Sequence, residues 1–279
     1  MLPSKDRLTI CFAHVAYQLQ SRFAARGTGI KSIEVRSRDE LLRAIPEADV
    51  LVISGLWHNT VLEPATKLRF IQSIGAGVDQ FPQDVLKARG IRLASARGVN
   101  ERAVAEHAMA LILALARRLP EARDNQKRRA WRQMIAELDQ REDELAGKTL
   151  LIVGLGRIGG RLARIAKGFD LRVQGIRRDV SADNNGADSM HTMAELPELL
   201  SQADIVALTC PLTPETTGII GTKALAAMKP SAVLINVARG RCVDEPALIE
   251  ALATGRISGA GLDCFTEEPL PPASPLWEF

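Results

Sequence analysis

The sequence predicts an α/β fold built from two parallel sheets, and three observations carry that prediction. Short runs of β-branched and aliphatic residues alternate with helix-length segments along the whole chain, which is the sequence form of repeated strand–helix–strand units. One apolar run leads directly into a glycine-rich turn at Gly154 and then into a helical pattern. The length of 279 residues exceeds what one simple core organises, so two domains are expected.

In the first hundred residues the runs LTICFA, KSIEV, DVLVIS, RFIQSI and IRLAS read as strands. The segment NERAVAEHAMALILALARRL reads as a helix over residues 100–119, closed by Pro120. Its apolar positions fall on most faces, which predicts burial between layers. After a polar stretch the alternation resumes with TLLIVG, LRVQGI, DIVALT, AVLINV and ISGAGLD. The expected boundary lies at the entry to the long helix, giving domains of 1–98 and 99–279.

Composition narrows the function classes. The chain is 46% hydrophobic and 25% charged, as soluble globular proteins are, and its net charge of +3 is too small to argue for nucleic acid. Its four cysteines are scattered, without a CxxC pair or metal-type spacing, so no metal site is expected and a reduced, cytoplasmic setting fits. The N-terminus lacks a long apolar core, so no leader is expected. The longest apolar run, Ala108 to Ala116, is too short to span a bilayer. Arg117, Arg118, Arg123, Lys127, Arg128, Arg129 and Arg132 form a basic stretch, but Glu121 and Asp124 interrupt it. A solvated helix face or a dimer arm is the expected reading, with no nucleic acid partner.

Gly154-x-Gly156-x-x-Gly159 sits between an apolar strand and a helix. In a dinucleotide site the first glycine permits the turn, the second lets backbone approach the pyrophosphate, and the third lets helix pack on strand. The helix N-terminus then offers N–H groups and partial positive charge to the phosphates. The alternative is a glycine-rich turn with no ligand. The fingerprint expects an acid at the end of the next strand for the ribose 2′-OH, but that position holds Arg177, followed by Arg178. Arginines there attract a 2′-phosphate, which favours NADP(H) over NAD(H). The alternative is a pair of solvated arginines, with Asp179 in the acidic role.

Further on, Arg239 follows the strand AVLINV, and Asp263 and Glu268 follow the next one, at the sheet edge where open α/β folds bind ligands. The plain alternatives are a capping arginine and an exposed turn carboxylate before Pro269.

The runs GAGVD, RAVAEHAMALILALAR, GLGRIG, CPLTPETTG, NVARG and GLDCFTEEPL, in that order from Gly75 to Pro272, resemble the D-isomer-specific 2-hydroxyacid dehydrogenases. The resemblance implies a flavodoxin-like substrate domain over 1–98 and a Rossmann dinucleotide-binding domain over 99–279. It implies hydride transfer between NAD(P)H and a small 2-oxo or 2-hydroxy acid, by a homodimer with no membrane partner. By residue, it makes Arg239 the group that binds the substrate carboxylate and polarises its carbonyl. Glu268 would hold a histidine protonated, and Asp263 would face the nicotinamide carboxamide. Arg157 and Ile158 would offer backbone N–H groups to the pyrophosphate. Cys210, Val237 and Ala238 would line the nicotinamide half, and Gly75, Ala76 and Gly77 would hold the substrate carboxylate, with Ala76 also near the cofactor.

In the resembled family the acid/base histidine follows a stretch like SPLWEF within a PNVLITPH-like segment, and further helices return to the first domain. The chain ends before that segment, so truncation, and an inactive fragment, are expectations to weigh. Of the histidines present, His58 in GLWHNT is the one expected near substrate. His14 also follows a first-domain strand and could look into the cleft. His107 reads as a packing or hinge residue and His191 as a solvated loop residue. A nucleotide-sensing, corepressor-like binding protein is the other reading, against which the retention of both Arg239 and Glu268 counts.

Overall fold

A computed structural model describes residues 2–181 and 183–279, which divide into two compact units, 1–100 and 101–279. The first unit holds β1 (Thr9–Ala13), α1 (Leu19–Ala24), β2 (Lys31–Val35), α2 (Arg38–Ala44), β3 (Val50–Ile53), β4 (Phe70–Ser73), α3 (Gln83–Ala88) and β5 (Arg92–Ala94). The strands are all parallel, in the order β2-β1-β3-β4-β5, the flavodoxin-like doubly wound order. Alternation along β1 divides the core. Cys11 and Ala13 face one apolar cluster with Leu41, Leu51 and Ile71, while Ile10 and Phe12 face another with Leu19 and Phe23. Both faces of a parallel sheet are therefore covered, which is why its strands are continuously apolar.

The second unit holds α4 (Glu101–Ala116), α5 (Leu119–Arg128), β6 (Thr149–Val153), α6 (Arg157–Lys167), β7 (Arg172–Ile176), β8 (Ser189–His191), α7 (Leu196–Gln202), β9 (Ile205–Leu208), α8 (Thr222–Ala227), β10 (Val233–Asn236), α9 (Glu245–Ala253) and β11 (Gly259–Leu262). The order is β11-β10-β9-β6-β7-β8, again all parallel. Counted from β6 this is the 3-2-1-4-5-6 order of a Rossmann sheet. Leu199, Leu225 and Leu248 pack from α7, α8 and α9 on one face, and Ala108, Ile112, Leu162 and Ala163 from α4 and α6 on the other.

Two expectations change. The helix expected over 100–119 ends at Ala116, and only Ala105, Ala108, Met109 and Ile112 are buried in it, so one face rather than most is covered. Pro120 does not close that helix but stands in the first turn of α5, after Arg118 turns the chain with φ of 49°; proline fits a helix start because its missing N–H would have no partner there. The strand β8 was not legible. It spans three residues and pairs only with β7, too short for a period-2 pattern to show.

One device recurs in both sheets. Asp49, before β3, accepts a hydrogen bond from the Thr9 amide at 2.9 Å. Asp204, before β9, accepts from the Thr149 amide at 2.8 Å and pairs with Lys229 at 2.7 Å. Each carboxylate takes an amide at the start of the first strand of its sheet and so sets the register of the central pair. Burial opposes the charge on Asp204, but the Lys229 ammonium and the Thr149 amide outweigh it and hold its carboxyl below the ordinary value. Hydrogen bonds to a charged group contribute about 1.5–3 kcal/mol. Asp204→Ala is expected to lower unfolding stability by about 1–3 kcal/mol at pH 7 in urea denaturation. Because the folded pKa is depressed, this contribution is present above the unfolded value of about 3.9 and fades as pH falls through the folded value. An Asp204→Ala variant as stable as the parent at pH 7 contradicts this account.

Candidate functional site

Register places the site. His191 pairs with Ile176, Ile176 with Val153, Val153 with Leu208, Leu208 with Asn236, and Asn236 with Leu262. These six residues form one row across the sheet, at the carboxyl ends of all its strands. The chain leaves this row at Thr192, Arg177, Gly154, Thr209, Val237 and Asp263.

Gly154 has φ of 100°, and a Cβ there would lie 2.5 Å from the Cys210 Cα, so both conformation and space demand glycine. At Gly159 a Cβ would meet the Gly154 carbonyl oxygen and Thr209 Oγ1, each at 2.7 Å, so glycine lets α6 close onto the turn. The Thr209 hydroxyl donates to the same carbonyl at 2.8 Å. Gly156 differs, since a Cβ there would find nothing nearer than 3.9 Å. No contact within the chain requires this glycine; it keeps open a space in front of α6. Gly156 is also the N-cap of α6 and has no capping side chain, so the first-turn N–H groups of Arg157 and Ile158 border that space. An anion such as a pyrophosphate fits these features.

Arg177 leaves β7 half-buried; its backbone N–H donates to the His191 carbonyl at 3.1 Å and its guanidinium donates to the Asp183 carbonyl at 3.2 Å. Arg178 is exposed and lies close enough to Glu215, on the loop after β9, to help hold that carboxyl below its ordinary value, after hydrogen bonds from the Thr213 hydroxyl and backbone. Asp179, the alternative ribose ligand, accepts from the Ser181 amide at 3.0 Å and hydroxyl at 2.6 Å.

At the other end, Val237 and Ala238 are buried, and Cys210 packs on Gly154. Contact with Cys242, then burial, pushes the Cys210 thiol above its ordinary value. The buried Asn236 side chain accepts from the Ala238 amide at 3.0 Å and donates to the Arg239 carbonyl at 2.9 Å, bracing the turn that carries Arg239. A Cβ on Gly240 would lie 1.9 Å from the Phe265 carbonyl carbon. The turn after β10 therefore packs backbone to backbone against the turn after β11. Within the latter, the Phe265 amide donates to Glu268 Oε1 at 3.0 Å. Cys264 reports what has converged: burial, then the Glu268, Asp263 and Cys242 charges, push its thiol up to about 12, with Arg239 opposing.

The other sequence-identified positions lie in the first unit. After β4 the Ser73 hydroxyl donates to the Gly75 carbonyl at 3.1 Å and the Gly77 carbonyl at 3.3 Å, which folds Gly75, Ala76 and Gly77 into a compact loop. His58 caps a short 3₁₀ turn with Nδ1 3.0 Å from Thr60 Oγ1. His14 Nδ1 accepts from the Tyr17 amide at 2.8 Å.

Two histidine expectations are corrected. His191 is no solvated loop residue: it ends β8, with Nε2 2.8 Å from Ser189 Oγ and Nδ1 2.8 Å from Glu195, whose carboxyl its hydrogen bond helps hold down at about 2. His107 is no packing residue: it is half-exposed, with Nε2 3.3 Å from Asp263 Oδ1. Asn236, Thr209, Gly240 and Cys242 were missed. Only Asn236 left a signal, as a lone polar residue in an apolar strand.

A six-stranded parallel Rossmann sheet, a glycine turn opening onto a helix N-terminus, and an arginine braced at the sheet edge beside two carboxylates define a Rossmann domain of the dinucleotide-binding class. Residues 109–279 match the family model described as D-isomer specific 2-hydroxyacid dehydrogenase, NAD binding domain, and the chain belongs to that family. It is 39% identical over 243 residues to the D-3-phosphoglycerate dehydrogenase of Methanocaldococcus jannaschii, covering 86% of this chain but 45% of that protein. It is 40% identical over 255 residues to the glyoxylate/hydroxypyruvate reductase B of Yersinia enterocolitica, covering 88% of this chain and 77% of the relative. The chain thus spans about half the length of the phosphoglycerate dehydrogenases it matches. A solved D-isomer specific 2-hydroxyacid dehydrogenase family protein from Aeromonas salmonicida superposes with a TM-score of 0.83 at 31% identity, covering 97% of this chain and 86% of that one.

The glycines separate structure from binding. Gly156→Ala is expected to cost about 1 kcal/mol of stability or less, yet weaken dinucleotide binding at least tenfold. Gly240→Ala is expected to destabilise by about 1–3 kcal/mol or more, since the two turns must part. Thermal melts and cofactor titrations check both; a Gly156→Ala protein with unchanged affinity rules out the phosphate cradle.

Proposed function

We propose that this chain carries the cofactor site and the catalytic arginine of an NADP(H)-preferring dehydrogenase that interconverts small 2-oxo acids and D-2-hydroxy acids. The observation that carries the reading is Arg239, braced by Asn236 and held by the Gly240–Phe265 contact beside Asp263 and Glu268. Sensing a nucleotide requires neither this arginine nor Glu268, which favours the enzyme over a corepressor-like binding protein.

When bound, the nicotinamide cofactor supplies or accepts a hydride at the substrate's C2. Gly154, Gly156, Arg157, Ile158 and Gly159 hold the pyrophosphate, and Arg177 and Arg178 the adenosine side. Cys210, Val237 and Ala238 form the wall on the nicotinamide side. Arg239 binds the substrate carboxylate and steadies the negative charge that develops on the C2 oxygen. Glu268 favours the charged form of an imidazole acid beside it. His14, His58, His191 and His107 take partners other than Glu268: the Tyr17 amide, Thr60, Glu195 and Asp263. Residues 1–279 alone are therefore expected to reduce glyoxylate or hydroxypyruvate slowly, since general acid–base catalysis contributes about 10²–10⁴-fold.

Small 2-oxo acids are the proposed substrates, the cytoplasm the proposed location, and a homodimer the proposed assembly. The dimer reading rests on Trp131, Met134 and Leu138, apolar residues 92%, 101% and 78% exposed in the segment after α5. The basic residues around them form the ion pairs Arg118–Glu121, Lys127–Asp124 and Arg132–Glu142, which supports a solvated face rather than a nucleic acid patch. No helix among the described residues is long and apolar enough to cross a membrane.

Two measurements test these proposals. Arg177→Asp is expected to weaken NADPH binding by roughly 10- to 150-fold, the value of one charge-assisted hydrogen bond, and to improve NADH competition. A parent that prefers NADH overturns the cofactor assignment. Trp131→Asp is expected to shift sedimentation from dimer to monomer; an unchanged sedimentation coefficient removes this segment from the interface.

A further inference from the structure

Helix α4 runs over strand β11 as a ladder with three rungs. A Cβ on Gly259 would sit 3.6 Å from Leu115 Cδ2, and one on Gly261 would sit 3.0 Å from Leu111 Cβ. The next rung is the pair His107 and Asp263, Nε2 to Oδ1 at 3.3 Å. The helix steps back four residues per rung, about 6 Å. The strand steps forward two, about 6.6 Å. The two spacings stay in step over three rungs, and the glycines let the helix lie close enough for the third to meet. His107 thus reaches Asp263 because Leu111 and Leu115 sit on glycines. The strand end is fixed as well, since the Asp263 amide donates to the Asn236 carbonyl at 2.9 Å.

We propose that His107 is a positioning residue for the nicotinamide half of the cofactor. Its Nε2–H holds Asp263 Oδ1, which turns Oδ2 toward the carboxamide N–H₂ of the bound dinucleotide. The inference rests on the reading of Asp263 as the carboxamide partner. Magnitude argues against a purely structural role. Both side chains are about half exposed, 47% and 50%, and an exposed pair of this kind contributes little to folding. What the contact restricts is the rotation of one carboxylate at the end of β11.

The test is calorimetric titration of two probes: NADPH, which carries the nicotinamide, and 2′,5′-ADP, which carries only the adenosine half. His107→Leu is expected to weaken NADPH three- to tenfold and leave 2′,5′-ADP unchanged. His107→Gln, which keeps a donor at similar reach, restores NADPH binding. Asp263→Ala weakens NADPH as well, and adding His107→Leu to it costs nothing further, because the histidine acts through the aspartate. NADPH affinity unchanged in His107→Leu overturns the proposal. Equal loss of both probes overturns it too, by making the residue a support of the whole fold. Loss in the double variant that equals the sum of the single losses does the same. A parent protein that binds neither probe instead overturns the dinucleotide reading itself, and this inference with it.

Discussion

Parallel pairing in strict register is the constraint on which the rest of the second unit depends. Because Ile176, Val153, Leu208, Asn236 and Leu262 pair in one row, every strand delivers its following residue to the same edge. Gly154, Arg177, Thr209, Val237 and Asp263 are neighbours for that reason alone, although more than a hundred residues separate the first from the last. A slip of one residue in any pair would turn that strand's side chains to the opposite face and withdraw its loop. Asp204 protects against such a slip at the central pair, and Asp49 does the same in the first unit.

On that edge, glycines convert proximity into contact. Three separate approaches have a missing Cβ at their centre: Gly154 against Cys210, Gly159 against the Gly154 carbonyl, and Gly240 against Phe265. Each brings backbone to within a distance that any side chain would forbid. The last of these joins the turn of Arg239 to the turn of Glu268. Gly156 stands apart, since the space it preserves faces outward from the chain. Glycines that packing demands and a glycine that leaves open space are therefore physically distinct even inside one short motif.

Much of this was legible because it is local. Strand runs such as TLLIVG and AVLINV carry their apolar pattern in five or six residues, and the glycine turn follows in the next few. The arginine after the fifth strand of the second sheet and the acids after the sixth could be placed at one edge because parallel topology leaves them nowhere else. What was misread lay where local signals compete. Pro120 signals a helix end and a helix start equally well, and the left-handed turn at Arg118 decided for the start. Ser189 to His191 carries three residues of strand, with polar ends, and is held only by β7.

The sequence by itself determined the fold class, the order of the longer strands, the glycine turn and the identity of the arginine and two acids at the sheet edge, since each follows from spacing within one βα unit. Tertiary structure alone decided that Asn236 braces Arg239, that Gly240 lies on Phe265, that Asp179 turns to Ser181, and that His107 meets Asp263. Two of these, Gly240 on Phe265 and His107 on Asp263, join residues brought together only by folding, and the other two depend on where a side chain comes to rest within its own turn. His107 and Asp263 are 156 positions apart in sequence, and their contact exists only because the rise of a helix per four residues nearly matches that of a strand per two, over glycines that let the two lie close.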